Sequence, residues 1–317
     1  MKINEKQLGY QNIFLKPQMC MVESRKQCNT GVVFGDRQFA MPIYPANMKS
    51  VVNIDTCKFL ALHGWFYTMH RFEIDVLEFI REMDKECLFT SISVGINEDS
   101  YEILESIYQE PLTVDYITID VANAWSQKCY EMIMFIKDKF PETFLIVGNV
   151  ATAAAVDSIE DYGADAIKVG IAGGSVCITK NKTGIHRPMV STILDCVSAR
   201  KKVPIIADGG IVEHGDIAKA LACGAEMVMA GSLFAGYDQS AGSLIEINDT
   251  EYKEYYGSAS KHNKNEIKNI EGKKTLIKYR GDMTRLLTEL KEDLQSSISY
   301  LGGSYLGIFK TVDYYEV

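Results

Sequence analysis

One stretch of the chain carries the residue types of nucleophilic chemistry. Lys168-Val-Gly-Ile-Ala-Gly-Gly-Ser-Val-Cys177-Ile-Thr179 runs an apolar segment into a glycine-rich one, where a thiol sits among hydroxyls with Lys180 and Lys182 just beyond. A catalytic thiol needs access and a stabilised thiolate, which nearby cations or backbone N–H groups supply. Gly170, Gly173 and Gly174 let the backbone approach a ligand closely. The competing reading is a buried cysteine in a flexible turn. A second constellation follows in Ile206-Ala-Asp208-Gly209-Gly210-Ile211 and Met229-Ala-Gly231-Ser232-Leu233. Backbone N–H groups at Gly209, Gly210 and Gly231 suit a phosphate, and Asp208 suits the two hydroxyls of a ribose. Tight turns alone would also use these glycines.

Elements that could bring the two together recur along the first three quarters of the chain. Runs rich in Val, Ile, Phe and Tyr occupy residues 42–46, 65–69, 90–94, 116–121, 144–148, 166–169, 204–207 and 227–230. Helical periodicity fills most of the intervals, as at residues 54–63, 130–139, 153–162 and 215–223. Nearly continuous apolar runs fit parallel strands covered on both faces. Eight such units predict an α/β fold, a (β/α)8 TIM barrel, with an open doubly wound sheet as the alternative. In a barrel the strand ends converge on one face, so the glycines and polar residues after each run belong to one site.

Residues 238–278 are polar, with no helical stripe, and read as a mobile flap over the barrel mouth. Helical spacing returns at 283–300, carried by Leu286, Leu287, Leu290, Leu294 and Ile298. The 317 residues are expected to form a single barrel domain with the flap inside it.

Bulk properties narrow the partners. The net charge of −9 argues against a nucleic-acid groove. No run approaches the ~18 apolar residues of a membrane span, and residues 1–16 do not read as a signal peptide. Eight cysteines without paired metal spacing are expected to be reduced thiols in a cytoplasmic protein.

At this point the residues carry a family resemblance. Pro45-Ala-Asn-Met48, Met69-His-Arg-Phe72, Ile119-Asp-Val-Ala122, Val147-Gly-Asn-Val150, the Cys177 loop, Ile206-Ala-Asp-Gly-Gly210, Tyr256-Gly-Ser-Ala-Ser260 and Glu271-Gly-Lys273 occur in the same order as in one superfamily. The chain resembles the inosine monophosphate dehydrogenase and GMP reductase superfamily nearly end to end, and within it the short bacterial GMP reductases. That resemblance implies an NADPH-dependent oxidoreductase of purine salvage that converts GMP to IMP and ammonia, working as a homotetramer. It implies that Cys177 attacks C2 of the purine to form a thioimidate, with Thr179 and Glu271 handling protons. It places Ser175, Asp208, Gly209, Gly210, Gly231, Ser232, Ser258, Ala259, Ser260 and Gly272 on the nucleotide. Arg71, Asp120, Val121, Ala122, Ser297, Tyr300 and Gly302 resemble positions that line the cofactor site, the last three sometimes from a neighbouring subunit.

Two rivals follow. A dehydrogenase that oxidises IMP usually carries regulatory modules inserted in the barrel, and none stands between Met69 and Asp120. The flap motif Asn269-Ile-Glu-Gly-Lys273 is also nearer the reductase pattern. A non-catalytic purine-nucleotide sensor is the other rival, and the intact Cys177, Thr179 and Glu271 set speaks against it. Departures lie in the loop itself. Gly170-Ile-Ala-Gly-Gly-Ser175 stands where relatives have Gly-x-Gly-Pro-Gly, and Ile185-His-Arg-Pro188 replaces a longer glycine-rich turn. Losing that proline loosens the loop and weakens the case for a monovalent cation, K+, on the carbonyls of Gly170, Gly173 and Cys177. His186 and Arg187 could add positive charge beside the thiol.

Overall fold

A computed structural model describes residues 6–260 and 271–317. Its strands are β1 (Ile13–Leu15), β2 (Val32–Phe34), β3 (Arg37–Phe39), β4 (Ile43–Pro45), β5 (Ser91–Val94), β6 (Tyr116–Asp120) and β7 (Phe144–Val150). They continue with β8 (Ala166–Val169), β9 (Ile205–Asp208), β10 (Met227–Ala230), β11 (Leu244–Ile247), β12 (Thr250–Tyr256), β13 (Lys274–Lys278) and β14 (Tyr314–Glu316). Seven of these form one parallel sheet in the order β4-β10-β9-β8-β7-β6-β5, so the first barrel strand pairs with the last. This is a TIM barrel, the architecture the apolar runs predict.

The second expected strand is the exception. Residues 65–69 are buried but form no ladder; Met69 N–H donates to Ser91 O at 3.0 Å and Trp65 N–H donates to Leu60 O. Aromatic packing replaces the missing hydrogen bonds. The Phe66 ring lies 5.2 Å from Phe34, 5.2 Å from Phe39, 4.8 Å from Tyr44 and 5.0 Å from Tyr116. The β2–β3 hairpin thereby plugs the end of the barrel where β6 and β7 begin, with Phe34 also 4.9 Å from Phe144. Closing that end leaves the opposite mouth, at the strand C-termini, as the open one.

Outer helices begin where side chains can satisfy the free N–H groups of their first turns. The helix expected at 130–139 starts earlier, at Gln127–Lys139, because the Ser126 hydroxyl accepts from Cys129 N–H. Thr152 does the same for Ala153–Asp161, and Asp282 for Met283–Tyr300, the span the leucine spacing predicts.

The segment 238–278 corrects the sequence reading. It is not a structureless loop: β11, β12 and β13 make an antiparallel sheet, with Leu244 opposite Lys253 and Tyr256 opposite Lys274. Its seat is a buried lysine, Lys253, whose ammonium donates to the carbonyls of Asp238 and Ser240 at 3.0 and 2.6 Å. Residues 261–270 of that expected flap, including Asn269 and Ile270 of its motif, lie outside the described residues.

Candidate active site

Of the eight cysteines, all free, Cys28, Cys57, Cys129, Cys196 and Cys223 are buried. Burial pushes the Cys129, Cys196 and Cys223 thiols up to about 12, which makes them inert near neutral pH. Cys177 is half-exposed and borders a cavity of about 420 Å³ at the barrel mouth.

Cys177 is fixed from both sides. Its own N–H donates to Gly174 O at 3.1 Å, closing the loop into a turn. The chain returning from the flap is stitched to the loop: Ile178 N–H donates to Glu271 O at 2.8 Å and Lys273 N–H to Val176 O at 2.9 Å. Glu271 and Gly272 N–H groups in turn donate to Ala259 O. The result puts a side chain 94 residues further on beside the thiol, a juxtaposition spacing alone does not reveal. The Cys177 thiol donates to Thr179 Oγ1 at 3.2 Å, and the Thr179 hydroxyl donates to Glu271 Oε2 at 2.5 Å. This order, thiol to hydroxyl to carboxylate, is one along which a proton can leave sulfur and reach a carboxylate.

The loop departures have defined geometry. Gly170 has φ +128°, and a Cβ there would lie 2.1 Å from Asp208 O, so only glycine fits where β8 meets the end of β9. Ala172, by contrast, holds φ +62°, a left-handed conformation that a residue with a Cβ adopts at a cost of about 1–2 kcal/mol. His186 Nδ1 is 2.9 Å from Ile171 O, while Arg187 pairs with Asp195 and donates to Gln7. Neither lines the cavity, so the added positive charge expected beside the thiol is not delivered by them. Lys180, Lys182 and Lys273 instead line a second recess that Cys177 also borders.

On the same cavity as the thiol, Asp208, Gly209 and Gly210 close β9, and Gly231 and Ser232 follow β10. Gly209, at φ +107°, packs its α-carbon against Gly173, where an added Cβ would come within 3.0 Å. Ser175, Ser258, Ala259 and Gly272 also line the cavity; Ser260 is buried behind it, bridged to Gly272. Arg71, Asp120, Val121 and Ala122 form the other wall. Arg71 Nε is buried with no hydrogen-bond partner among the described residues, and its guanidinium carbon lies 4.6 Å from the Phe72 ring centroid.

Three expected cofactor residues are not brought to this cavity. Ser297 and Tyr300 lie on Met283–Tyr300 and Gly302 just after it, on the outside of the barrel. Ser297 donates to Asp293 O, Tyr300 is exposed, and Gly302 packs on Met19. Conversely, Lys168 is a site side chain that motif spacing does not mark. Its ammonium sits between Asp120 Oδ1 at 2.9 Å and Asp208 Oδ2 at 3.0 Å. The available signal was a lysine inside an otherwise apolar strand. Asn149 joins it, its amide donating to Asp208 Oδ2 at 2.8 Å and to Gly170 O at 2.7 Å.

Comparison with known proteins agrees with the geometry. The IMP dehydrogenase / GMP reductase domain family matches residues 7–312. The chain is 59% identical over 311 residues to a GMP reductase of Chromobacterium violaceum, covering 98% of each chain. It is 48% identical over 313 residues to one of Bacillus licheniformis, covering 98% of this chain and 96% of the relative. A GMP reductase of Acidovorax sp. is 47% identical over 307 residues, or 96% and 94% of the two chains. A match of this extent and identity has one reading: the chain belongs to the IMP dehydrogenase / GMP reductase family.

Proposed function

We propose that this chain is an oxidoreductase that converts GMP to IMP and ammonia, with NADPH as reductant and Cys177 as nucleophile. The observation that carries the mechanism is the hydrogen-bonded series Cys177 Sγ, Thr179 Oγ1, Glu271 Oε2 on the wall of a cavity that Asp208 also lines. Asp208 accepts from the ribose hydroxyls, and the backbone N–H groups at Gly209, Gly210, Gly231 and Ser232 hold the phosphate. Ser175, Ser258, Ala259, Ser260 and Gly272 surround the base, which sets C2 against the sulfur. The thiol proton passes through the Thr179 hydroxyl to Glu271, and the thiolate adds to C2. The exocyclic amine leaves as ammonia, protonated by the same relay, and a thioimidate joins Cys177 to the purine. After reduction at C2 the C–S bond breaks, releasing IMP and the thiolate, which takes a new proton from solvent to restore the thiol.

The cavity wall beyond the nucleotide fits a nicotinamide. Arg71 Nε is a buried donor in want of an acceptor, and the carboxamide oxygen is one. A bound reduced nicotinamide supplies the two electrons and the hydrogen that C2 gains. Asp120, Val121 and Ala122 orient that ring beside Arg71. Ser297, Tyr300 and Gly302 reach a cofactor only across a subunit boundary, so their assignment stands or falls with the homotetramer. The Gly170 carbonyl, one of the three that would hold a monovalent cation, accepts from Asn149 and keeps a second lone pair.

Absorbance at 340 nm and IMP formation, followed with GMP and NADPH, test the reading. NADPH loss matched by IMP and ammonia is expected. Turnover of IMP with NAD and none of GMP would overturn it in favour of the dehydrogenase.

A further inference from the structure

Lys168 stands in the middle of β8 between two fully buried residues, Ile167 and Val169, and its side chain is 3% exposed. A lysine is rarely buried so deeply unless paired. Here one ammonium serves two carboxylates that end different strands, Asp120 on β6 and Asp208 on β9. These strands are not neighbours: β7 and β8 lie between them. Both carboxylates line the cavity, Asp208 followed in the chain by Gly209 and Gly210, Asp120 with the Arg71 charge near it.

The charges around this group are few. Tyr44 faces Lys168 and both carboxylates from β4, Tyr10 and Tyr255 face Asp208, and Arg71 faces Asp120. Burial raises all three phenols, Tyr255 to about 12, so they stay neutral near pH 7. Burial disfavours a charge on Lys168, yet Asp120 and Asp208 outweigh it and hold its pKa above the ordinary range. Burial likewise opposes ionisation of Asp120, and Lys168 with Arg71 reverses that. Asn149 is the other donor to Asp208, and it is neutral.

We propose that Lys168 is a positioning residue that holds the Asp208 carboxylate in place as an acceptor for the nucleotide ribose, against the repulsion of Asp120 nearby. The same ammonium ties the nucleotide half of the cavity to the cofactor half. This inference rests on the nucleotide reading given above. Without Lys168, two carboxylates share a poorly solvated site, and one of them takes up a proton. A protonated Asp208 loses acceptor capacity toward the ribose.

Lys168→Met, of similar length and uncharged, tests this in two measurements. The first titrates the aspartate carboxylates of the ligand-free protein by NMR with labelled aspartate. Asp120 is expected ionised across pH 6–8 in the native protein, with one carboxylate of the pair titrating in that window in K168M. The second measures GMP binding by calorimetry without cofactor. K168M is expected to weaken binding at pH 7 by at least about 10-fold, with affinity recovering as pH rises. Adding Asp120→Asn removes the competing carboxylate and is expected to restore most of the lost affinity, a rescue that a packing role would not show. Folded K168M with native GMP affinity and no new titration overturns the inference. If K168M does not fold, the double variant K168M/D120N decides: GMP binding near the native level supports it, and a folded but non-binding double variant overturns it. A native protein that does not bind GMP would overturn the nucleotide reading, while the carboxylate titration would still decide the role of Lys168.

Discussion

The floor of the cavity and its thiol-bearing wall are built on opposite plans. The floor consists of strand ends: Asp120, Lys168 and Asp208 belong to the parallel sheet, and Lys168 is tied to both carboxylates across the barrel. The described wall is built from distant parts of the sequence, 170–179 with 257–260 and 271–273, joined by a few backbone hydrogen bonds and carrying a strained Ala172. The acceptor for the ribose sits on the part that is costly to deform, and the reacting groups, with the residues around the base, on the part that can adjust. This separation predicts that substitutions of the reacting side chains on the wall cut the rate with little loss of binding, while floor substitutions weaken binding itself.

The largest effect is expected at Cys177. Cys177→Ala should lower turnover at least about 10⁴-fold while GMP still binds, as measured by steady-state rates and calorimetry. Retained turnover would remove the thiol from the chemistry, and lost binding would break the contrast between wall and floor. Glu271→Gln and Thr179→Val come next, each lowering kcat by about 10²–10⁴-fold. Because the two act in series, the double variant should be little worse than the poorer single one. Additive losses would mean that they do not form one relay.

A smaller effect is expected at the rim of the floor, in the stability of the fold as pH falls. His70 is buried, and burial with Lys49 nearby lowers its pKa to about 4. Above the unfolded value the neutral ring is tolerated at no cost. Below it the unfolded chain binds a proton that the folded protein refuses, so stability falls as pH drops from 6.5 towards 4. His70→Asn, whose Oδ1 can accept from Phe72 N–H as Nδ1 does, should flatten this dependence. The native protein should lose about 2 kcal/mol more than the variant between pH 7 and pH 5, read by denaturant melts at each pH. Parallel curves would show that His70 is solvated.

The smallest effect concerns the wall. Ala172→Gly removes the left-handed strain but frees the unfolded chain, so stability should change by less than about 1 kcal/mol. A loss of several kcal/mol would show the wall to be as rigid as the floor.

Legibility in the sequence follows the same division. The strands of the floor were readable because parallel strands buried on both faces leave continuous apolar runs, and Asp208 could be placed at the end of one. Residues 65–69 look like such a run and are buried like one. Their lack of a ladder reflects packing on Phe34, Phe39 and Tyr44, rings far away in sequence or on other elements. Segment 238–278 misled because its strands are polar: β12 reads Thr-Glu-Tyr-Lys-Glu-Tyr-Tyr and β11 is mostly exposed. A two-sided polar sheet gives neither an apolar run nor a helical stripe. Within the wall, the glycines around Cys177 marked the loop, but Glu271 was assignable only through the family resemblance. Spacing does not mark Lys168, because its partners Asp120 and Asp208 come to it only when β6, β7, β8 and β9 lie side by side in the sheet.

The central claim is that Cys177 forms a covalent bond to the purine while Thr179 and Glu271 move its proton. Rapid acid quenching of the native protein with GMP and NADPH, followed by mass spectrometry of the peptide that carries Cys177, tests it most directly. The account predicts a transient peptide heavier by GMP less ammonia, formed and lost at rates that match turnover and absent in Cys177→Ala. IMP formed at the full rate with no such adduct on any time scale of the reaction would contradict it.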